Sequence, residues 1–350
     1  MRLVLRVLSM LVFVVSCTYT FGDEIAARRA IQTTVQGAFN SDDFQALEDI
    51  YKREFNSVTP RGIATKGQIV RALWELRFSG NSVGSVAPSG NDGLSQYRAN
   101  QLEFSDKMDT KAASWVKRFP ESTFAAISQS SFLVAHAFAF RGNGSGSSVP
   151  SSDMQAFRQY VDQAQNALLR LGTSSKDPAW YFQMLTVARL SGWEQAGFLE
   201  FFDQASKIDP YYVDTYFAAS EFFLPQWGGS AKQIAALADF AVKTTQAKYG
   251  SAMYARVYWN LADSVRRDFF APANVNWKKM KRGFDDLTSR YPEPVNWNAY
   301  ARFACLAEDR AAAKLALERI KQNVVHEAWL DRDEYNQCNR FAESGEKLRK

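Results

Sequence analysis

Asp177-Pro178-Ala179-Trp180-Tyr181-Phe182-Gln183-Met184-Leu185 decides the fold, because its opening Asp-Pro-aromatic phrase returns as Asp209-Pro210-Tyr211-Tyr212. The second copy starts 32 residues after the first, close to the roughly 34-residue period of tetratricopeptide hairpins. A proline just inside a helix start is tolerated because its missing N–H would have no partner there. Each copy therefore opens a helix. Ala179 to Leu190 pairs with Glu194 to Ile208, and Tyr211 to Phe223 begins the next unit. Units this short cannot bury their apolar faces alone, so they stack on one another.

Working outward, the chain alternates apolar residues at helical spacing with short breaks, and no long period-two run occurs. The expected fold is all-α: tetratricopeptide-like antiparallel hairpins stacked as a right-handed solenoid. An N-terminal helical portion, 23–140, reads as helices over Asp23 to Phe39 and from Asn40-Ser41-Asp42 to Phe55. A third starts after Thr65, whose spacing to Gln68 fits a capping box, and carries Ile69, Leu73, Leu76 and Phe78 on its apolar face. Residues 79–100, rich in Gly, Ser and Asn, read as a loop; Ser105 to Phe119 and Ser122 to Phe140 resume the helical pattern.

The stretch 141–152 reads as a flexible connector to a repeat portion, 153–343. Its glycines lack the Gly-Lys-Ser/Thr ending and preceding strand of a phosphate cradle. Met154 to Leu171 ends at Gly172, a fitting helix stop. Leu224-Pro225-Gln226-Trp227-Gly228-Gly229-Ser230 breaks the stack, and Ser230 with Gln233 offers a second capping box. Tyr254-Ala255-Arg256 recurs as Tyr300-Ala301-Arg302; Pro294 to Gln322 forms the last hairpin, with Ala304, Ala307, Ala311 and Ala316 for close contact. A helix from Glu327 to Glu343 caps the stack before the basic tail 344–350.

The start of the chain addresses it outward. Arg2 and Arg6 lead into the apolar stretch Val7 to Val15, about nine residues, which fits a secretory signal and is too short to span a bilayer. No later segment reads as a span. Ordinary cleavage before Asp23 defines a 1–22 signal peptide, while Val14-Val15-Ser16-Cys17 resembles a lipoprotein box that would acylate Cys17. The bacterial periplasm, or the outer membrane if Cys17 carries lipid, is the expected address. A formal charge of +5 over 350 residues falls to +3 once Arg2 and Arg6 are removed, which gives no field for nucleic acid. The membrane enters only through Cys17. Either cleavage leaves Cys305 and Cys338 in an oxidising compartment, where an even pair suggests a disulfide. Two buried free thiols are the alternative reading.

Chemistry-bearing motifs are sparse. His136 lies among Phe132, Val134, Phe138 and Phe140, as a core histidine does, and His326 lies near a helix start. No His-Glu-x-x-His or paired Cys-x-x-Cys spacing calls for a metal, no Gly-x-Ser-x-Gly elbow for a nucleophile, and no cofactor is implied. The run Lys278-Lys279-Met280-Lys281-Arg282 reads as a charged helix face.

Several phrases together resemble bacterial exported proteins carrying a domain of unknown function with tetratricopeptide-like helices: DPAWYFQML from Asp177, LSGW from Leu190, LPQWGGS from Leu224, YARVYW from Tyr254 and FACLAEDRAAA from Phe303. The resemblance implies a fold and an address, and no activity. The expected role is a non-enzymatic scaffold that grips a protein or peptide with exposed rings, the candidates being Trp180, Tyr181, Tyr211, Tyr212 and Trp227. Carbohydrate or small-molecule binding in a closed pocket is the alternative, and an uncharacterised hydrolase a third. The sequence leaves the partner and the oligomeric state open.

Overall fold

A computed structural model describes residues 23–78, 91–142, 144, 146–262 and 273–346. The expected signal segment with Cys17 and the tail from residue 347 lie outside them. The described residues are all-helical, with one isolated bridge between Val58 and Ala64 as the sole extended pairing among them. Fifteen α-helices follow in chain order among these residues: α1 Glu24–Asn40, α2 Phe44–Arg53, α3 Thr65–Trp74, α4 Asn91–Arg118, α5 Thr123–Arg141, α6 Ser151–Leu169, α7 Pro178–Leu190 and α8 Gln195–Ile208. After them come α9 Val213–Phe222, α10 Ala231–Tyr249, α11 Ala252–Leu261, α12 Trp277–Arg290, α13 Pro294–Leu306, α14 Arg310–Ile320 and α15 Arg332–Ser344.

Local chemistry explains most helix starts. Asp177 accepts from the Ala179 N–H at 3.0 Å and puts Pro178 at the first position of α7. Ser230 likewise caps α10 by accepting from Gln233 N–H. Three boundaries differ from the sequence reading. Thr65 is the first residue of α3 and its cap is Ala64, whose side chain has nothing to accept with. Helix α4 begins at Asn91, well before Ser105. Between Ser95 and Phe104 no residue is buried, so that stretch carries no apolar stripe for periodicity to find. Glu327 sits in a short 3-10 turn, and α15 starts later, where Asp331 accepts from Glu334 N–H at 2.7 Å and Glu334 accepts from Leu330 N–H at 2.6 Å.

From α4 onward each helix packs on its sequence neighbour, and the odd-numbered ones also touch in series, α1 on α3, α3 on α5, α5 on α7, α7 on α9 and α9 on α11. One continuous core runs through the row. At its centre lies α5, which by length and composition could cross a membrane, contrary to the sequence reading that no later segment qualifies; 67% of its apolar window is buried inside the protein. It spends that face on α3, α4, α6 and α7. Toward the other end, α13 and α14 meet through fully buried Ala304, Ala313 and Ala316, whereas Ala311 points outward. A disulfide joins Cys305 on α13 to Cys338 on α15, with Cα atoms 5.5 Å apart.

Candidate functional site

The five candidate rings divide. Trp180, Tyr181 and Tyr212 are core residues, 1%, 2% and 1% exposed, and offer no face to a partner. Trp180 donates its indole N–H to the Leu168 carbonyl at 3.2 Å and meets Tyr181 edge-on at 5.0 Å. Rings at helical spacing serve packing as readily as binding, and here packing between α7 and α8 takes them, since Phe201 lies 5.2 Å from Tyr181. Tyr211 and Trp227 are half-buried. Lys248 lies over Tyr211 at 5.1 Å, and Arg189 lies over Trp227 at 5.0 Å while pairing with Glu221 at 2.8 Å. The glycines after Trp227 have backbone work: Gly228 takes φ of +84°, and a Cβ on Gly229 would overlap the Phe223 backbone.

The densest polar chemistry lies elsewhere, in a clasp that sequence reading missed. Helix α1 and residues 51–71 contact the N-terminal ends of α7, α9 and α13 and the middle of α11. Tyr51 donates its hydroxyl hydrogen to Asp177 at 2.8 Å, and Lys66 approaches the same carboxylate at 3.9 Å while resting 3.5 Å from the Phe55 ring centre. Gly67 faces the start of α9, where a Cβ would overlap the Asp214 carboxylate and come within 3.2 Å of the Tyr212 hydroxyl. Arg256 on α11 donates to the carbonyls of Gly62 and Arg61 at 3.0 and 2.6 Å. Gly62, at φ +78°, lies against the Tyr291 ring so closely that a Cβ would overlap it.

Glu24 completes the clasp. Its carboxylate accepts from Arg61 N–H at 3.0 Å, and its own N–H donates to Glu293, the N-cap of α13, at 3.3 Å. Arg28, one turn on, pairs with Glu327 in the turn before α15. Most of these charges are held under cover, and burial dominates their titration. It raises the carboxyls of Asp177 and Asp214 against the pull of Lys66 and Arg71 respectively, lowers Lys66, and brings the Arg61 guanidinium down to about 10. One local signal was available: a glycine inside a helix costs about 1 kcal/mol relative to alanine and marks a close approach. Gly67 in α3 is such a glycine.

Where α1 crosses α3, the two helices and Glu327 enclose a polar cavity of about 230 Å³. Arg28, Arg29 and Gln32 reach it from α1, and Gln68, Arg71 and Glu75 from α3. Arg29 and Arg71 form no ion pair with any described residue, and the Gln68 side chain, 6% exposed, makes no hydrogen bond with one. The sequence reading used Gln68 as a helix cap, which it is not.

The remaining motifs are placed as follows. His136 is buried; its Nδ1 lies 2.6 Å from Asp109 and its Nε2 4.0 Å from Asp106, with Tyr160 and Phe140 against its ring. His326 is exposed. In the basic run, Met280 is buried while Lys279 and Lys281 pair with Asp239 and Asp285. No group of three or more metal-ligating side chains converges among the described residues. Compared with protein-family models, curated proteins and solved structures, the chain has no match.

Proposed function

We propose that the chain is an exported, non-enzymatic helical-repeat protein that holds a protein or peptide partner. In this reading the helices pair as tetratricopeptide-like hairpins, stack as a right-handed solenoid, and belong with the bacterial exported proteins that the Asp177, Leu224 and Phe303 phrases resemble. The serial contacts of the odd-numbered helices support the stack. The Cys305–Cys338 disulfide supports an oxidising address, the periplasm or, with lipid on Cys17, the outer membrane.

One observation carries the binding role: the clasp borders a polar cavity whose lining includes two exposed arginines, Arg29 and Arg71, with no ion pair to a described residue, and the Gln68 amide, whose polar atoms open into it. Guanidinium and amide donors gathered at an accessible cavity can bind a polar group from outside. A photo-crosslinking residue at position 29 of the natively exported protein tests it, with one at the exposed Leu315 on α14 as control. A defined partner captured from position 29 alone supports the role; equal capture at both, or none, counts against it. The second reading, a small polar molecule, is favoured by the cavity's size. Its lining holds no aromatic ring, so a sugar has no stacking platform there.

A further inference from the structure

We infer that the cavity between α1 and α3 is a carboxylate site, and that its occupant is the free carboxyl group of a peptide or small organic acid. The inference deepens the binding role and rests on it only in taking the occupant from outside the chain. Three features converge on this chemistry. Arg29 and Arg71 line the cavity and are exposed at its mouth, so a ligand can reach them. Neither forms an ion pair with a described residue, while the Arg71 charge draws on the buried Asp214 carboxyl from farther off. A guanidinium keeps its charge and presents parallel N–H groups that match a carboxylate's two oxygens.

Gln68 supplies the second feature. Its side chain is 6% exposed and lines the cavity, yet it hydrogen-bonds to no described residue. Its polar atoms are open to the cavity, so its N–H can donate to a ligand oxygen. Charge balance supplies the third. Among the lining side chains alone, Arg28, Arg29 and Arg71 outnumber Glu75 and Glu327 by one positive charge, with Arg28 also paired to Glu24. That suits a monoanion. A phosphate group, closer to a dianion, would meet repulsion from the two glutamates without a matching gain. With about 230 Å³, the cavity falls below the usual range for drug-sized ligands and takes an acid group with a short attached chain.

Calorimetric titration of the folded full chain tests the site with four probes: N-acetyl-Ala-Ala acid, the same dipeptide as its C-terminal amide, acetate and inorganic phosphate. Saturable binding of the peptide acid is expected, with the amide weaker by about tenfold or more, the worth of a charge-assisted contact. Arg29→Gln should weaken the acid by about tenfold with an unchanged melting temperature, because Arg29 makes no ion pair within the described fold. Gln68→Leu should weaken it as well. Acetate binding as tightly as the peptide acid would identify a small organic acid as the occupant; tighter binding of the peptide would identify a chain terminus. Equal binding of acid and amide, phosphate binding more tightly than the acid, or no heat at concentrations on the order of 10 mM, well beyond the millimolar affinity scale, would overturn the site. If position 29 still captured a partner while acid and amide bound alike, the binding role would stand and the carboxylate chemistry would fall.

Discussion

The clasp of α1 and residues 51–71 and the α13–α15 end of the chain both tie remote stretches together, by opposite means. At the α13–α15 end, buried alanines bring helices close and one covalent bond, Cys305–Cys338, locks them. In the clasp, contacts up to 299 residues apart in sequence run through carboxylates, guanidiniums and hydroxyls, most of them held under cover. Packing of alanines is cheap and insensitive to solution conditions. Buried charge is costly, sensitive to pH and vulnerable to loss of either partner. The energetically riskier device is the one that forms the cavity.

The largest expected effect breaks the clasp at its busiest residue. Asp177→Ala removes the acceptor for Tyr51, strands Lys66 and uncaps α7. It should cost about 3–5 kcal/mol in a urea unfolding experiment, and a loss below about 1 kcal/mol, the scale of an exposed pair, would place the clasp outside the cooperative unit. Next comes the other region: replacing both Cys305 and Cys338 by serine should cost about 3–4 kcal/mol for a loop of 33 residues. That loss should leave protection of the clasp unchanged if the two devices act independently.

Gly67→Ala sharpens the contrast at smaller cost. Its Cβ would overlap Asp214, and overpacking of this kind costs about 1–3 kcal/mol, readable as a lowered melting temperature. The smallest effect is a slope. Burial raises the Asp214 carboxyl, so the native state holds that proton more tightly than the unfolded chain does. Stability from this group is therefore greatest below the ordinary aspartate range and is lost as pH rises through the raised native value. Asp214→Asn should make the fall in stability across that window shallower. Asp177, also raised by burial, keeps part of it, and a slope unchanged from wild type would show that Asp214 is not buried in solution.

The same contrast explains what could be read from sequence. The Asp-Pro phrase at Asp177, the Ser230 cap and the pairing of Cys305 with Cys338 rest on local rules, and the helices and the disulfide follow them. Long-range polar complementarity has no local signature. Nothing around Tyr51 or Lys66 announces Asp177, and an aromatic stripe looks alike whether it packs or binds. For that reason Trp180, Tyr181 and Tyr212 read as contacts and lie in the core. Gly67, in the first turn of α3, was the available clue, and Arg29, Arg71 and Gln68 gave none until α1 and α3 were brought together.

Native-state hydrogen exchange of the full chain tests the clasp most directly. Amides of α3, and those of α1 against it, should exchange as slowly as those of α7 and α9, and together with them as denaturant is raised. Fast exchange through α1 and residues 51–71, with α7 to α11 still protected, would mean that the segment is undocked and that the cavity does not exist in solution.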